Sequence, residues 1–128
     1  PWTLGIADPR NADGAPFATV QLRDKTLSTS GDYERSFMKD GVRYHHILDV
    51  RTGQPARLSR SVTLVSSKAV LAEALAKGVF ILGPAEGMAL IERLPDVDGV
   101  IVTADNQVLV SSGLKALVTI THPPTEGP

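Results

Sequence analysis

Hydroxyls, imidazoles, carboxylates and a guanidinium crowd into two short stretches of this chain. One is Ser28-Thr29-Ser30-Gly31-Asp32-Tyr33; the other is Tyr44-His45-His46-Ile47-Leu48-Asp49-Val50-Arg51-Thr52-Gly53. Together they suit a phosphate-bearing, hydroxyl-rich small molecule. Thr29, Ser30, Asp32 and the Gly31 amide offer hydrogen-bonding groups. Gly31 and Gly53 let backbone N–H groups come close to a ligand. His46 titrates near neutral pH, so it can orient against phosphate or move a proton. Asp49 can hold the imidazole tautomer or bind sugar hydroxyls, and Arg51 offers a planar fork to phosphate oxygens. Thr52 and Gly53 add a hydroxyl and an amide. The same residue types also make an ordinary hairpin with an Asx-type turn at Asp49. Adjacent histidines on a strand face opposite sides, so at most one of them can face a given pocket.

The elements that position these groups follow from periodicity. Trp2 to Ala7 and Phe17 to Arg23 read as strands, the second with clear alternation. Turn-rich residues 8–14 join them. Thr26 to Ser30 reads as a third strand of a meander, with the Ser/Thr/Gly run at its end. Asp40-Gly41 marks a hairpin turn leading into a strand from Val42 to Leu48 that carries both histidines. Ser61 to Val65 is a β-branched strand. Ser66 or Ser67 is placed to N-cap a helix from Lys68 to about Leu82. Gly83 ends that helix, and Pro84 opens a second one running to about Arg93. Val100 to Thr103 and Val108 to Val110 form a hairpin, and Leu117 to Thr121 is a last strand. The expected fold is α+β, an antiparallel or mixed sheet with two helices packed on it. Residues 1–121 form one domain and 122–128 a flexible tail.

Bulk properties narrow the partners. The 128 residues are 42% apolar and 21% charged, and the net charge of −1 gives no basic field for nucleic acid or an anionic membrane. The absence of cysteine removes disulfides and thiolate metal sites. No apolar run reaches the roughly 18 residues of a membrane span. No signal peptide is visible, and the chain begins at Pro1, which points to a removed upstream segment.

The two chemistry-bearing stretches resemble the flavin-site segment of the FAD:protein FMN transferases, the ApbE family. There a T-S-G-D-Y run leads into H-H-I-L-D-P-x-T-G. An S-V-T-V strand and a D-A-L-A-T helix follow, matched here by Ser61-Val62-Thr63-Leu64-Val65 and Glu73-Ala74-Leu75-Ala76-Lys77. The likeness covers about Trp2 to Ser111. It implies an ApbE-like C-terminal portion, without the N-terminal half and its G-G-I-A-K-G loop. It further implies FAD as substrate, with Thr29, Ser30, Gly31, Asp32, His46, Asp49, Arg51, Thr52 and Gly53 in the binding wall and His46 catalytic. The implied partners are an acceptor protein with a target threonine and either the missing half or a second copy. The implied setting is the bacterial envelope. Val50 stands where the family has proline, so the loop loses a fixed φ.

In the family, the Asp and Thr of D-A-L-A-T lie one helical turn apart and bind Mg²⁺, a hard cation that wants oxygen ligands. Glu73 retains a carboxylate. Lys77 has three donors and no lone pair, so it cannot ligate. Two arrangements are open. The Lys77 ammonium can stand in for the metal's charge against a pyrophosphate, or Glu73 and Lys77 can pair at i,i+4. The helix is apolar nearly all round, which predicts burial and favours the pair. Trp2 suits stacking on a flavin or adenine ring but more often belongs to a core. Arg10, in Asp8-Pro9-Arg10, can reach a phosphate or serve the turn.

Overall fold

The computed structural model describes residues 1–128. Nine strands and two α-helices form three layers. A three-stranded sheet, in the order β1-β2-β9, comprises β1 (Trp2–Ile6), β2 (Ala18–Leu22) and β9 (Val118–Ile120). A four-stranded antiparallel sheet, in the order β3-β6-β7-β8, comprises β3 (Thr26–Gly31), β6 (Ser59–Ser66), β7 (Asp98–Thr103) and β8 (Val108–Val110). The helices α1 (Ala69–Leu82) and α2 (Pro84–Arg93) form the third layer. A separate hairpin, β4 (Ser36–Lys39) with β5 (Val42–His45), carries the chain between β3 and β6.

The middle sheet is apolar on both faces because both are covered. Val62, Leu64 and Ile101 meet Ala72, Ala76, Val79 and Phe80 of α1 and Ile91 of α2. Val65, Val100 and Val102 point the other way and pack with Ile6, Phe17, Val20 and Leu22 of the outer sheet. Adjacent residues thus serve opposite cores, as the alternation of strand side chains requires. The β-branched composition of β6 suits this doubly covered position.

The α+β class with two helices on antiparallel sheet is as expected, but the meander is not. β2 pairs with β9 near the far end of the chain, and β3 leaves it to pair with β6 in the register Thr29↔Thr63 and Gly31↔Ser61. Asp24, at a positive φ of 53°, turns the chain from one sheet into the other. The strand expected to carry both histidines stops at His45. His46 and Ile47 enter a loop closed by the Leu48↔Pro55 bridge.

Neither Ser66 nor Ser67 caps α1 with its side chain; Lys68 is the N-cap. Ser67 gives both its amide and its hydroxyl to Asp96 instead, which also receives the Lys25 ammonium at 2.9 Å. These bonds, led by the Ser67 hydroxyl, hold Asp96 well below the usual carboxylate range.

The segment expected to be a flexible tail forms no strand or helix, yet it is tied down. The Thr125 amide donates to both oxygens of buried Asp8 (3.1 and 3.0 Å), and its hydroxyl donates to Asp8 at 2.6 Å. Asn106 donates to the Pro124 carbonyl at 2.7 Å. Burial works to raise the Asp8 pKa, but the Thr125 and Arg10 donors outweigh it and leave the group below its ordinary value.

Candidate functional site

The Ser/Thr/Gly run occupies β3. The Thr29 hydroxyl is engaged across the sheet with Thr63 at 2.9 Å, a cross-strand pair set by their register. Ser30 and Gly31 are buried. Gly31 has a steric reason that its sequence neighbours did not suggest. The Tyr33 ring folds back over it, and a Cβ at position 31 would run into that ring. Burial, with help from Glu34 and Asp32, pushes the Tyr33 hydroxyl up to about 12.

Asp32 ends the run in a bidentate pair with Arg10. Nη1 reaches Oδ1 at 2.7 Å and Nη2 reaches Oδ2 at 2.8 Å, with the two side chains only 9% and 10% exposed. Arg10 therefore serves neither a phosphate nor its own turn alone. It locks the β1–β2 connection to the end of β3.

The second stretch splits at the two histidines. His45 is buried. Its Nε2 lies 2.7 Å from the Ala56 carbonyl, its Nδ1 accepts the Ile47 amide at 3.2 Å, and its ring meets Phe80 edge-on at 5.6 Å. Those partners require the neutral tautomer with hydrogen on Nε2. Burial holds the imidazole below its ordinary value, against the Ala56 carbonyl and Asp32, which favour the charged ring. His46 points outward and is exposed.

Beyond it, residues 47–56 close into a compact loop. Asp49 donates its amide to the Gln54 carbonyl at 2.8 Å, and Ala56 donates to Ile47 at 2.9 Å. The Asp49 carbonyl accepts the Thr52 and Gly53 amides at 3.1 and 2.8 Å. Gly53, at φ 72°, has open space on its Cβ side, so its glycine is required by conformation and not by crowding. The Asx-type turn is present, because Asp49 Oδ1 accepts the Arg51 amide at 2.9 Å. The same carboxylate takes Arg51 Nε and Nη2, both at 3.0 Å. These bonds from Arg51 set Asp49 below the usual carboxylate range and raise Arg51 in return. The Arg51 fork is thus turned to Asp49 through Nε and Nη2, while Asp49 makes no hydrogen bond to His46.

The structure therefore brings His46, Asp49, Arg51, Thr52 and Gly53 together on one exposed loop. It builds Thr29, Ser30, Gly31 and Asp32 into the sheet and its ion pair. No cavity is lined by members of both groups. A polar cavity of about 290 Å³ takes only Asp32 from the candidate residues. Arg10, Arg43, Arg57 and Arg60 line it, and the sequence reading missed that convergence. One signal was available: Arg43 and His45, two apart on β5, share a face.

On α1 the expected Glu73–Lys77 pair is absent. Both side chains are exposed, as are Val70 and Ala74, so this face of the helix is open and its charges need no partner. Periodicity overestimated the burial because a run of small and apolar residues reads as core whichever side is covered. Trp2 is 76% exposed and belongs to no core cluster. A Mg²⁺ site does not fit the residues present. Glu73 offers one carboxylate, Lys77 offers no lone pair, and no group of three acidic or histidine side chains converges anywhere in the chain.

Comparison with known proteins defines the class. Residues 1–101 match the model of the ApbE family, and the chain belongs to that family. It is 41% identical over 114 residues to an FAD:protein FMN transferase of Treponema pallidum, covering 88% of this chain and 32% of that protein. A Klebsiella pneumoniae protein of the same description is 34% identical, covering 87% and 35%. Among solved structures, an ApbE protein of Thermotoga maritima superposes with a TM-score of 0.81 at 37% identity over 91% of this chain and 38% of that one. The apo flavinyl transferase ApbE of Pseudomonas stutzeri gives 0.69 at 32% identity, over 91% and 36%. The chain spans about a third of the length of these relatives.

Proposed function

We propose that this chain is the C-terminal part of an FAD:protein FMN transferase and supplies one wall of its FAD site. The other wall comes from the portion of the relatives that this chain does not span. In the reaction, a threonine hydroxyl of an acceptor protein attacks the FMN phosphorus of FAD. The pyrophosphate P–O bond breaks and AMP departs. In this reading His46 takes the hydroxyl proton or orients against the phosphate. Arg51 and Thr52 are exposed on the same loop.

The observation that carries this reading is the loop itself. The Asp49–Gly53 turn that follows exposed His46 is held at the surface by its own hydrogen bonds, in a chain 41% identical to a protein of that description. Such a loop is preorganised: Ile47 and Ala56 anchor it in the core while His46, Arg51 and Thr52 are exposed. The test is an FAD fluorescence titration of this chain. Saturable quenching, weakened about tenfold or more in His46→Gln, is expected. A flat titration overturns the reading.

A second reading, binding without transfer, is favoured by Lys77. Restoring Glu73→Asp and Lys77→Thr together separates the two. Flavinylation of a threonine-bearing peptide, with Mg²⁺ present, that appears only in the restored protein supports the second. No step of the proposed reaction is routed through Mg²⁺, since these residues do not form its site.

A further inference from the structure

The arginine-lined cavity has a charge balance that the flavin reading does not use. None of His46–Gly53 lines it. Arg10 is neutralised by Asp32, the only carboxylate side chain in the lining. Arg43, Arg57 and Arg60 have no Asp or Glu partner; the molecule's ion pairs are Arg10–Asp32, Lys25–Asp96 and Arg51–Asp49. They are held by hydroxyl, amide, main-chain oxygen and ring contacts instead. Arg43 donates to Ser36 Oγ at 2.9 Å and to the Pro128 main-chain oxygen at 3.2 Å. Arg57 donates to the Arg43 carbonyl at 2.6 Å and lies 5.3 Å over the Tyr44 ring. Arg60 donates to the Ala104 carbonyl at 3.2 Å and to Asn106 at 3.3 Å.

Three positive side chains thus line the cavity with no Asp or Glu side chain paired to any of them. Burial, with Arg10 and Arg43 adding to it, lowers the Arg60 pKa against the pull of Asp32 and Glu126. A second observation points the same way. The molecule has three buried side-chain polar atoms without a hydrogen-bond partner: Arg10 Nε, Arg43 Nε and Ser59 Oγ. All three belong to residues lining this cavity, and Ser59 is 2% exposed. Buried donors are rarely left unpaired, so their concentration in one place marks an unfilled binding requirement.

We propose that this cavity binds a small phosphate-type oxyanion, held by Arg43, Arg57 and Arg60. Guanidinium forks match the planar oxygen pairs of phosphate, which favours them over a point-charge site. A volume of about 290 Å³ accommodates a phosphate or a small monoester.

Calorimetric titration of this chain with inorganic phosphate, and in parallel with ribose 5-phosphate, tests the proposal. The buffer is phosphate- and sulfate-free. Saturable binding at millimolar concentration or below is expected, weakened about tenfold or more in Arg60→Gln. Arg57→Gln, which changes an exposed side chain and preserves the fold, should show the same loss in smaller degree. Arg23→Gln, outside the cavity, should bind as the parent does. Tighter binding of the ester would identify a monoester as the ligand, and equal binding the bare anion; either supports the site. No saturable heat with either probe overturns it, as does binding unchanged in both Arg60→Gln and Arg57→Gln. The result is independent of FAD binding, which is read separately by fluorescence.

Discussion

Two aspartate–arginine pairs arise from the same chemistry-bearing region, and they do opposite things. Arg10–Asp32 joins residues 22 apart, is nine-tenths buried and uses both guanidinium Nη groups. Asp49–Arg51 joins residues two apart on an exposed loop and also closes an Asx turn. In the first, charge is taken out of water to fix the chain's path between two sheets. In the second, charge stays at the surface and shapes a small loop. A sequence motif of polar residues thus divides into a part that builds the frame and a part presented to solvent. The flavin contacts proposed above belong with the second part.

The largest expected effect lies in the buried pair. Arg10→Met would leave the Asp32 carboxylate buried without its partner, at a cost of about 3–5 kcal/mol. Replacing both, Arg10→Met with Asp32→Leu, should recover much of that, because a well-packed apolar pair avoids desolvating two charges. Urea denaturation of both variants measures it. A loss below about 1 kcal/mol in the single variant would remove the distinction between the pairs.

The adjacent histidines sharpen the same contrast at intermediate scale. His45→Leu removes the partner of the Ala56 carbonyl and the Ile47 amide and should cost about 1–3 kcal/mol. It should also change the pH dependence. The folded His45 binds protons less readily than the unfolded one, whose pKa is near 6.5. Its contribution to stability is therefore fully present above about pH 6.5 and is lost as pH falls through the lower folded value. Protonation would place a hydrogen on Nδ1 facing the Ile47 amide, which gives the loss a structural cause. Denaturation midpoints at descending pH should fall in the parent and fall less in His45→Leu. Equal slopes would show that the imidazole is not held neutral by these contacts.

How much of this was legible in the sequence follows from the range of each interaction. Local signals survived: the Asp40-Gly41 turn, the Gly83-Pro84 junction and the Asp49 turn all form where residue types demand. Long-range pairings did not. Nothing near β2 signals that its partner is β9, and a meander was the local default. The Arg10–Asp32 pair and the Thr125–Asp8 tie join residues 22 and 117 apart, beyond any periodicity. The open face of α1 was misread because apolar character reports what a helix can bury, not what covers it. Of the candidate residues, those on the 46–53 loop are exposed together because the turn is local. Those of β3 disappeared into the sheet because pairing with β6 decides their fate.

The smallest effect probes the surface loop alone. Val50 is 88% exposed and stands between Asp49, whose carbonyl accepts the Thr52 amide, and Arg51. That bond makes residues 49–52 a β-turn with Val50 at its second position, where proline is favoured because its φ is already set. Val50 has a negative φ, and its amide donates no hydrogen bond within the protein. Val50→Pro should therefore remove no native contact while restricting the unfolded chain, stabilising the protein by about 0.4–1 kcal/mol. The same change should tighten FAD binding in the fluorescence titration, since the loop would lose less freedom on binding. A stabilised protein with unchanged FAD affinity would mean that the loop's rigidity serves the fold alone. A destabilised one would mean that the turn has a backbone geometry that proline cannot take.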